Sequence, residues 1–199
     1  MARLLMRWLD PAFGHPRGVL GRVGGAMMLR GNAEQEHRAV EQAVLRPGEH
    51  VLVLGHGPGL GLALAAAAVD PGGHVVGVDP SEPMRRMAAA RCADQIARGV
   101  VEVRPGRAEN TGCSGASIDV AISVNNIMLW DREAGFNELA RVLRRGGRLV
   151  ATVHRHVLDI SPDQLRDDAR HAGFTDITVT SRPRRFTSSA VELLASLPN

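Results

Sequence analysis

The chain lacks lysine and tyrosine altogether, and it is poor in the other aromatic residues. All 24 basic side chains are therefore arginine, and 21 acidic side chains scattered between them leave a formal net charge of only +3. Four phenylalanines and two tryptophans supply few of the platforms on which single-stranded nucleic acids stack. A balanced charge without a basic stripe argues further against a nucleic-acid partner. We interpret the missing lysine as the coding bias of a GC-rich genome.

Cysteine is equally scarce, since Cys92 and Cys113 stand alone, without a histidine or a further cysteine at zinc-binding spacing. Neither a disulfide framework nor a metal site is expected, and a reducing cytoplasm is the predicted compartment. No apolar run approaches the ~20 residues of a membrane-spanning helix. Arg7 and Asp10 interrupt the start "MARLLMRWLD", which argues against a signal peptide. We expect a soluble cytoplasmic protein without a membrane span.

Apolar runs and amphipathic stretches alternate along most of the 199 residues. Strands are predicted over residues 50–55, 74–79, 100–104, 118–124, 148–154, 175–181 and 190–196, and helices over 32–45, 60–70, 81–99, 132–147 and 161–174. Strand–helix alternation of this kind is typical of a doubly wound α/β sheet. One domain over residues 32–199 is expected, behind an N-terminal arm over residues 1–31 with one or two short helices.

A glycine occupies every second position of "GHGPGLG", between the first predicted strand and the helix that follows it. These residues are Gly55, Gly57, Gly59 and Gly61. Glycine loses more backbone freedom on folding than any other residue, so such a run needs a reason. In a doubly wound sheet this place is the ligand crevice, where bare backbone and helix N-terminal amides receive an anionic group. We predict a ligand-binding loop, and the alternative is a glycine-rich turn without a ligand.

The spacing of the glycines narrows the choice of ligand. The dinucleotide pattern G-x-G-x-x-G fails at Leu60 and Leu62, and a P-loop would need the lysine that the chain lacks. This excludes a nicotinamide oxidoreductase of the usual kind. Asp79 ends the second predicted strand, about 20 residues beyond the glycines, where a carboxylate accepts hydrogen bonds from ribose hydroxyls. We expect a ligand with a nucleoside, although Asp79 would also serve as the N-cap of a helix beginning near Pro80.

Five stretches taken together resemble the successive motifs of class I S-adenosylmethionine-dependent methyltransferases with a type 11-like domain. They are "VLVLGHGPG", "VVGVDPSEPM", "GRAEN", "IDVAISVNNIMLW" and "ELARVLRRGGRLV", in this order between residues 47 and 153. The resemblance implies a Rossmann-like, seven-stranded, mostly parallel sheet with a reversed last strand and helices on both faces. It also implies S-adenosyl-L-methionine as cofactor and methyl transfer as the reaction.

The resemblance assigns a cofactor contact to each matching position. It places Gly55, His56, Gly57 and Gly59 against the methionine part, Asp79 on the ribose hydroxyls, Pro80 and Met84 near the adenine, Ala108 and Glu109 at the adenine edge, and Ser123, Asn125 and Asn126 beside the methyl group.

Two positions depart from the family pattern. Members usually carry an acid where this chain has Val53, so carbonyls of Gly55 or Ser123 and the side chain of Asn125 are expected to receive the methionine ammonium instead.

The second departure is Arg107, which stands where members often carry an aspartate. A guanidinium group only donates hydrogen bonds, so Glu109 or a backbone carbonyl must accept from the adenine amino group. The two departures give some weight to an alternative function, a protein of the same fold that binds S-adenosylmethionine without transferring its methyl group.

Methyl transfer is an in-line displacement that needs alignment and a dry site more than a large set of catalytic residues. A hydroxyl acceptor would benefit from a base, and His154, after the fifth strand, is the first candidate. His154 and its neighbour His156 would equally serve as structural loop residues, and His37 is a weaker candidate. The chain has no N/D-P-P-Y/F/W motif, which favours a small-molecule acceptor, such as a secondary metabolite, over a nucleic-acid base.

Two further segments have open interpretations. The arm over residues 1–31 carries apolar side chains that suit a lid over the site or a contact in a homodimer, and less well a helix on a membrane surface. Arg182, Arg184 and Arg185 form either an anion site for an acidic substrate or a solvated surface.

Overall fold

The computed structural model describes residues 32–184 and 188–199, so the predictions for the N-terminal arm and for Arg185 lie outside the described residues. The strands are β1 (His50–Leu54), β2 (His74–Val78), β3 (Val101–Arg104), β4 (Ile118–Val124), β5 (Leu143–His154), β6 (Thr175–Arg182) and β7 (Ala190–Ser196). The helices are α1 (residues 32–43), α2 (Leu60–Val69), α3 (Glu82–Arg91), α4 (Ala93–Ala97), α5 (Arg132–Val142) and α6 (Pro162–His171), with a 3₁₀ turn at Ile127–Leu129.

All seven strands join one sheet in the order β3-β2-β1-β4-β5-β7-β6. Strands β1 to β5 pair in parallel, whereas β7 lies antiparallel between β5 and β6. The predicted seven-stranded, mostly parallel sheet with a reversed last strand is therefore confirmed. Because the strand order reverses at β1, the carboxyl ends of β1, β2 and β4 meet at the crevice expected to receive a ligand.

The sequence placed two helix boundaries wrongly. The helix predicted over 132–147 ends at Val142, because the chain enters β5 at the buried Leu143 and a register shift in the β4–β5 pairing accommodates the glycines that follow. The helix predicted over 81–99 divides at Cys92, whose backbone leaves helical geometry while its side chain stays fully buried. In both places burial of one side chain overrides the local helical pattern.

Strand β1 divides its side chains between the two faces of the sheet. Leu52 and Leu54 join the core with α5 and α6, where Phe136 contacts Trp130 and Phe174 edge to face at centroid distances of 6.0 and 6.2 Å. Val51 and Val53 face the other way, into a core shared with α1 and α2. Val53, which replaces the acid expected from the family pattern, therefore faces α1.

Glu192 of β7 fastens α1 to the sheet. Its carboxyl group accepts hydrogen bonds from Arg38 Nε at 2.6 Å and Gln42 Nε2 at 2.9 Å, both on α1, and from Arg182 Nε on β6 at 2.6 Å. Burial alone would raise the pKa of Glu192, but these donors outweigh it and bring the pKa down to about 2. The position of α1 thus depends on a buried carboxylate whose charge is fully paired.

The described part of the chain contains no helix long and apolar enough to cross a membrane. Cys92 and Cys113 are both buried and unpaired.

Candidate active site

The glycines after β1 have different neighbours. A Cβ atom at Gly55 would lie 2.7 Å from the Asn126 Cγ atom, and one at Gly59 would lie 2.8 Å from the Cα and Cβ atoms of Ala88 on α3. At Gly57, whose φ is +52°, a Cβ atom would meet no heavy atom within 4 Å. Gly55 and Gly59 are therefore required by packing inside the protein, and Gly57 presents bare backbone to open space.

Asp79 lies beside this loop, at the tip of β2. Its carboxylate is 6% exposed and accepts hydrogen bonds from the backbone N–H of Gly57 at 3.0 Å and of Ser81 at 2.8 Å. Helix α3 begins at Glu82 with Ser81 as its N-cap, so Asp79 is not the cap. Each carboxylate oxygen keeps a further lone pair, as two ribose hydroxyls would need. The Ser81 hydroxyl, buried with no partner among the described residues, adds another polar group here.

A cleft opens between α1 and the glycine loop, with about 310 Å³ of space when open solvent is included. Its lining residues are Asn32, Glu36, Gly55, Gly57, Pro58, Leu60 and Val124. Open backbone at Gly57, with a hydrogen-bonded carboxylate behind it, fits the methionine and ribose parts of S-adenosylmethionine.

The carboxyl end of β4 forms the opposite wall. Asn126 donates from Nδ2 to the Leu54 carbonyl at 2.6 Å, and its Oδ1 accepts from Ser123 Oγ at 2.8 Å and from Trp130 Nε1 at 2.9 Å. This buried network ties the ends of β1 and β4 together, and the Asn126 side chain occupies the space that Gly55 leaves. Ser123 and Asn126 thus lie at the end of β4 with their side-chain polar groups engaged within the protein, and their predicted place beside the methyl group stays a prediction.

Asn125 faces α1. Its Nδ2 donates to Gln35 Oε1 at 2.9 Å, and its Oδ1 accepts from the backbone N–H of His154 at 2.9 Å. Gln35 is fully buried and also donates to the Thr152 hydroxyl at 3.1 Å. The sequence predicted that the Asn125 amide would bind the methionine ammonium. In the structure this amide instead holds α1 on the ends of β4 and β5.

His56 lies under the loop with its ring packed toward Gly77 of β2 and Leu62 of α2. Its Nδ1 is 2.8 Å from the Gly57 carbonyl, and Nε2 has no partner among the described residues. Burial lowers the pKa of His56, with smaller contributions from its charged neighbours. His56 belongs to the loop, but its side chain is not among those that line the cleft, and its predicted contact with the methionine part stays a prediction.

The residues expected around the adenine gather at the ends of β2 and β3. Pro80 is exposed and Met84 is buried on α3, while Ala108 is buried beyond β3. Glu109 Oε1 accepts from the backbone N–H of Asp131 at 2.7 Å, which orders the start of α5. Arg107 exchanges two backbone hydrogen bonds with Asn110, closing the turn between these residues.

His154 lies at the tip of β5, as expected, and both ring nitrogens have partners. Nδ1 is 3.0 Å from Arg184 Nη1, and Nε2 is 3.3 Å from Asn32 Oδ1. Because a guanidinium group only donates, Nδ1 must accept, which places the proton of the neutral ring on Nε2. Burial lowers the pKa of His154, and the positive charge of Arg184 lowers it further. The lone pair that a base would use thus lies against Arg184, and the role of His154 stays a prediction.

Two of the three arginines considered for an anion site are paired inside the protein. Arg182 contacts Glu192 and Glu34, and Arg184 contacts Glu34 at 2.7 Å with only 5% of its side chain exposed. The expected anion site is therefore wrong for these two residues, and so is the solvated surface for Arg184. Glu34 on α1 and Glu192 on β7 supply the paired carboxylates, and the buried Arg182 Nη2 atom has no partner among the described residues.

Glu36 is the residue that the sequence analysis missed. It projects from α1 into the lining of the cleft, and a Cβ atom at Gly61 would collide with its Oε2 atom. Burial raises the pKa of Glu36 to about 8. Two signals pointed to such a group: the missing acid at Val53, and a fourth glycine at Gly61 that no ligand motif requires.

Comparison with known proteins agrees with this geometry. Residues 52–151 match the family described as "Methyltransferase domain". Over 109 residues the chain is 39% identical to an arsenite methyltransferase from Halobacterium salinarum, covering 54% of this chain and 28% of that protein. Over 108 residues it is 40% identical to nocamycin O-methyltransferase from Saccharothrix syringae, covering 54% of this chain and 38% of that protein. The chain thus spans well under half the length of these relatives.

A solved structure shows the same fold. Phosphoethanolamine N-methyltransferase 2 from Haemonchus contortus, in complex with S-adenosyl-L-methionine, superposes with a TM-score of 0.73 at 19% identity, covering 83% of this chain and 53% of that chain. The sheet order, the glycine loop joined to Asp79 and the match over half of the sequence lead to one conclusion. This chain belongs to the methyltransferase domain family, the class I methyltransferases that use S-adenosylmethionine as methyl donor.

Proposed function

We propose that this chain transfers a methyl group from S-adenosylmethionine to a small-molecule acceptor. The observation that carries the proposal is the hydrogen bond from the open backbone of Gly57 to the buried carboxylate of Asp79, at the rim of the cleft. This arrangement offers a close approach to the main chain and, next to it, an acceptor for two hydroxyl groups.

In this proposal the chain binds and orients the cofactor. Gly55, Gly57 and Gly59 form the loop against the methionine part, with His56 supporting the loop from below. Asp79 accepts from the ribose hydroxyls, and the adenine side of the site is formed by Pro80, Met84, Ala108 and Glu109. Ser123, Asn125 and Asn126 set the shape of the wall at the end of β4.

S-adenosylmethionine supplies a methyl group on a positively charged sulfur, which is already activated for transfer. The residues of this chain need mainly to align the acceptor and keep water out, and α1 covers one side of the cleft for that purpose. If the acceptor is a hydroxyl, His154 would take its proton at Nδ1 once Arg184 moves aside.

The relatives support a small acceptor, since one is an arsenite methyltransferase and another is nocamycin O-methyltransferase. We propose that the reaction takes place in the cytoplasm, because both cysteines are buried and unpaired. We propose no nucleic-acid partner. For residues 1–31 we propose a lid over the cleft or a contact in a homodimer.

Calorimetry with S-adenosylmethionine and S-adenosylhomocysteine, followed by a radiolabel assay over hydroxyl, amine and arsenite acceptors, tests the proposal. We expect both nucleosides to bind and at least one acceptor to gain label. Failure of both nucleosides to bind would reject the function.

Binding without transfer across the whole panel would favour the second candidate, a cofactor-binding protein that does not methylate. The valine at position 53 and the arginine at position 107 are the observations behind that candidate.

A further inference from the structure

The cleft contains one group that the family motifs do not explain, the carboxyl group of Glu36 on α1. It lines the cleft together with Gly55, Gly57 and Pro58, and no cationic side chain belongs to that lining. Among residues 32–184 and 188–199, no hydrogen bond or ion pair reaches this carboxyl group. Glu36 is half-buried, and ionising a carboxyl group that has no partner in such a place costs free energy, so a cation from outside the chain would stabilise it.

Gly61 creates the space in which this carboxyl group lies. A Cβ atom at Gly61 would collide with Glu36 Oε2, and the same Cβ would lie 3.9 Å from the Cγ1 atom of Val53. The Glu36 carboxyl group therefore lies close to the Val53 side chain, on the α1 face of β1. Glu36 on α1 thus lies near Val53 on β1, the position where the family pattern has an acid.

We infer that the Glu36 carboxylate binds the ammonium group of the methionine part of S-adenosylmethionine, and so replaces the acid missing at Val53. This inference rests on the proposed function, because it requires that the cofactor occupy the cleft. The other polar side chains near the cleft are already hydrogen-bonded within the protein. The Asn125 amide contacts Gln35, and the Asn126 amide contacts Leu54 and Trp130. Glu36 is the acidic side chain of the cleft lining.

Binding of the ammonium group would also move a proton. The pKa of Glu36 is raised to about 8, so the carboxyl group is mostly protonated at pH 7, and an adjacent ammonium favours its ionised form. The charged and titratable groups on the surrounding elements include His56 on the glycine loop, Asp79 after β2 and His154 on β5. Arg91 on α3 donates to the Pro58 carbonyl at 3.0 Å, but burial is the one cause of the shift in the pKa of Glu36. The pKa values of both histidines are lowered, so at pH 7 neither provides a positive charge that would ionise Glu36 beforehand. The proton on Glu36 therefore passes to the buffer when the cofactor binds.

Calorimetry of S-adenosylhomocysteine binding at pH 7, in phosphate and in Tris, measures both the affinity and the protons released. The variants are Glu36→Gln, which keeps the shape of the side chain, and Glu41→Gln, a matched control at an exposed position of the same helix. We expect the native chain and Glu41→Gln to release about one proton, as a carboxyl group with a pKa near 8 must when it ionises. Glu36→Gln should release none and bind at least about tenfold more weakly.

Two further measurements separate a missing ammonium contact from general damage to the site. 5′-Methylthioadenosine, which lacks the amino-acid part, should bind the native chain and Glu36→Gln equally. Gly61→Ala leaves Glu36 in the sequence but pushes its carboxyl group away, so it should weaken S-adenosylhomocysteine and spare 5′-methylthioadenosine.

Each outcome decides between the two proposals. Unchanged affinity and unchanged proton release in Glu36→Gln would overturn the role of Glu36 and leave the proposed function intact. An equal loss of 5′-methylthioadenosine binding in Glu36→Gln would also overturn it, because the damage would then not concern the ammonium group. No binding of S-adenosylhomocysteine to the native chain would overturn both.

Discussion

Two carboxyl groups at helix α1, that of Glu192 on β7 and that of Glu36 on α1 itself, differ in their surroundings. The docking side consists of Arg38 and Gln42 on α1 and Glu192 on β7. Three donors, from Arg38, Gln42 and Arg182, surround the Glu192 carboxylate and lower its pKa to about 2. The cleft side consists of Glu36 on α1 together with Gly57 and Asp79. Here the Glu36 carboxyl group has no partner in the described residues, and its pKa is raised to about 8.

The difference separates structure from function within one helix. A buried ion pair whose partners all lie in the same chain is complete on folding, so the docking side positions the helix. A half-buried acid without a partner lowers stability when it is ionised, and such groups are found where a ligand supplies the missing charge. Mutations on the docking side should therefore lower the stability of the protein, and mutations on the cleft side should weaken cofactor binding.

The largest effect is expected from Gly57→Val, which breaks the cleft side alone. The new side chain would fill the open space against the loop backbone and would force a β-branched residue to a φ of +52°. Calorimetry should detect no binding of S-adenosylhomocysteine, while the left-handed backbone costs about 1–2 kcal/mol of stability in a thermal melt. A variant that still saturates normally would show that the cofactor does not approach Gly57.

Asp79→Ala tests the far end of the cleft side. Removing a charge-assisted, two-point acceptor should weaken S-adenosylhomocysteine by about 1.5–3 kcal/mol. An analogue without the ribose hydroxyls should bind the variant and the native chain alike, and this comparison controls for the hydrogen bond that Gly57 loses. Unchanged affinity for S-adenosylhomocysteine would place the ribose elsewhere.

Glu192→Gln breaks the docking side. Two arginines would lose their buried partner, so we expect a loss of about 1–3 kcal/mol of stability at pH 7, measured by denaturant unfolding. The pKa of Glu192 is lowered to about 2 from 4.5, so its contribution is present above pH 4.5 and is lost as the pH falls toward 2. The gap between native chain and variant should therefore close in acid. A gap that stays constant with pH would mean that the charge of Glu192 does not hold α1.

The smallest effect, of opposite sign, is expected from Glu36→Gln in the absence of cofactor, because the half-buried Glu36 carboxyl group keeps part of its contact with water. The folded pKa of about 8 lies above the ordinary 4.5, so the contribution of Glu36 to stability is fully present below pH 4.5 and is lost as the pH rises to 8. Glutamine does not ionise, so the variant keeps its stability as the pH rises. It should melt a few degrees higher than the native chain at pH 9, with little difference at pH 5. Equal melting of Glu36→Gln and Glu41→Gln at pH 9 would contradict the raised pKa of Glu36.

What the sequence determined by itself is the part of the molecule that follows from short-range pattern. The strand–helix alternation, the loop after β1 and Asp79 at the tip of β2 could be read off because parallel strands bring their carboxyl ends to one edge whatever the rest of the chain does. Even there the boundaries at Leu143 and Cys92 were missed, since the burial of those side chains depends on distant neighbours.

Only the tertiary structure decided how α1 completes the site. Gln35 with Asn125, Arg184 with His154, and Glu36 with Gly61 are pairs of residues distant in sequence, and no periodicity records such contacts. The same packing reassigned three of the four glycines to internal neighbours and left Gly57 open. The sequence showed that an acid was missing at Val53, and the docking of a helix against the sheet showed which acid stands beside that position, because that contact exists only in three dimensions.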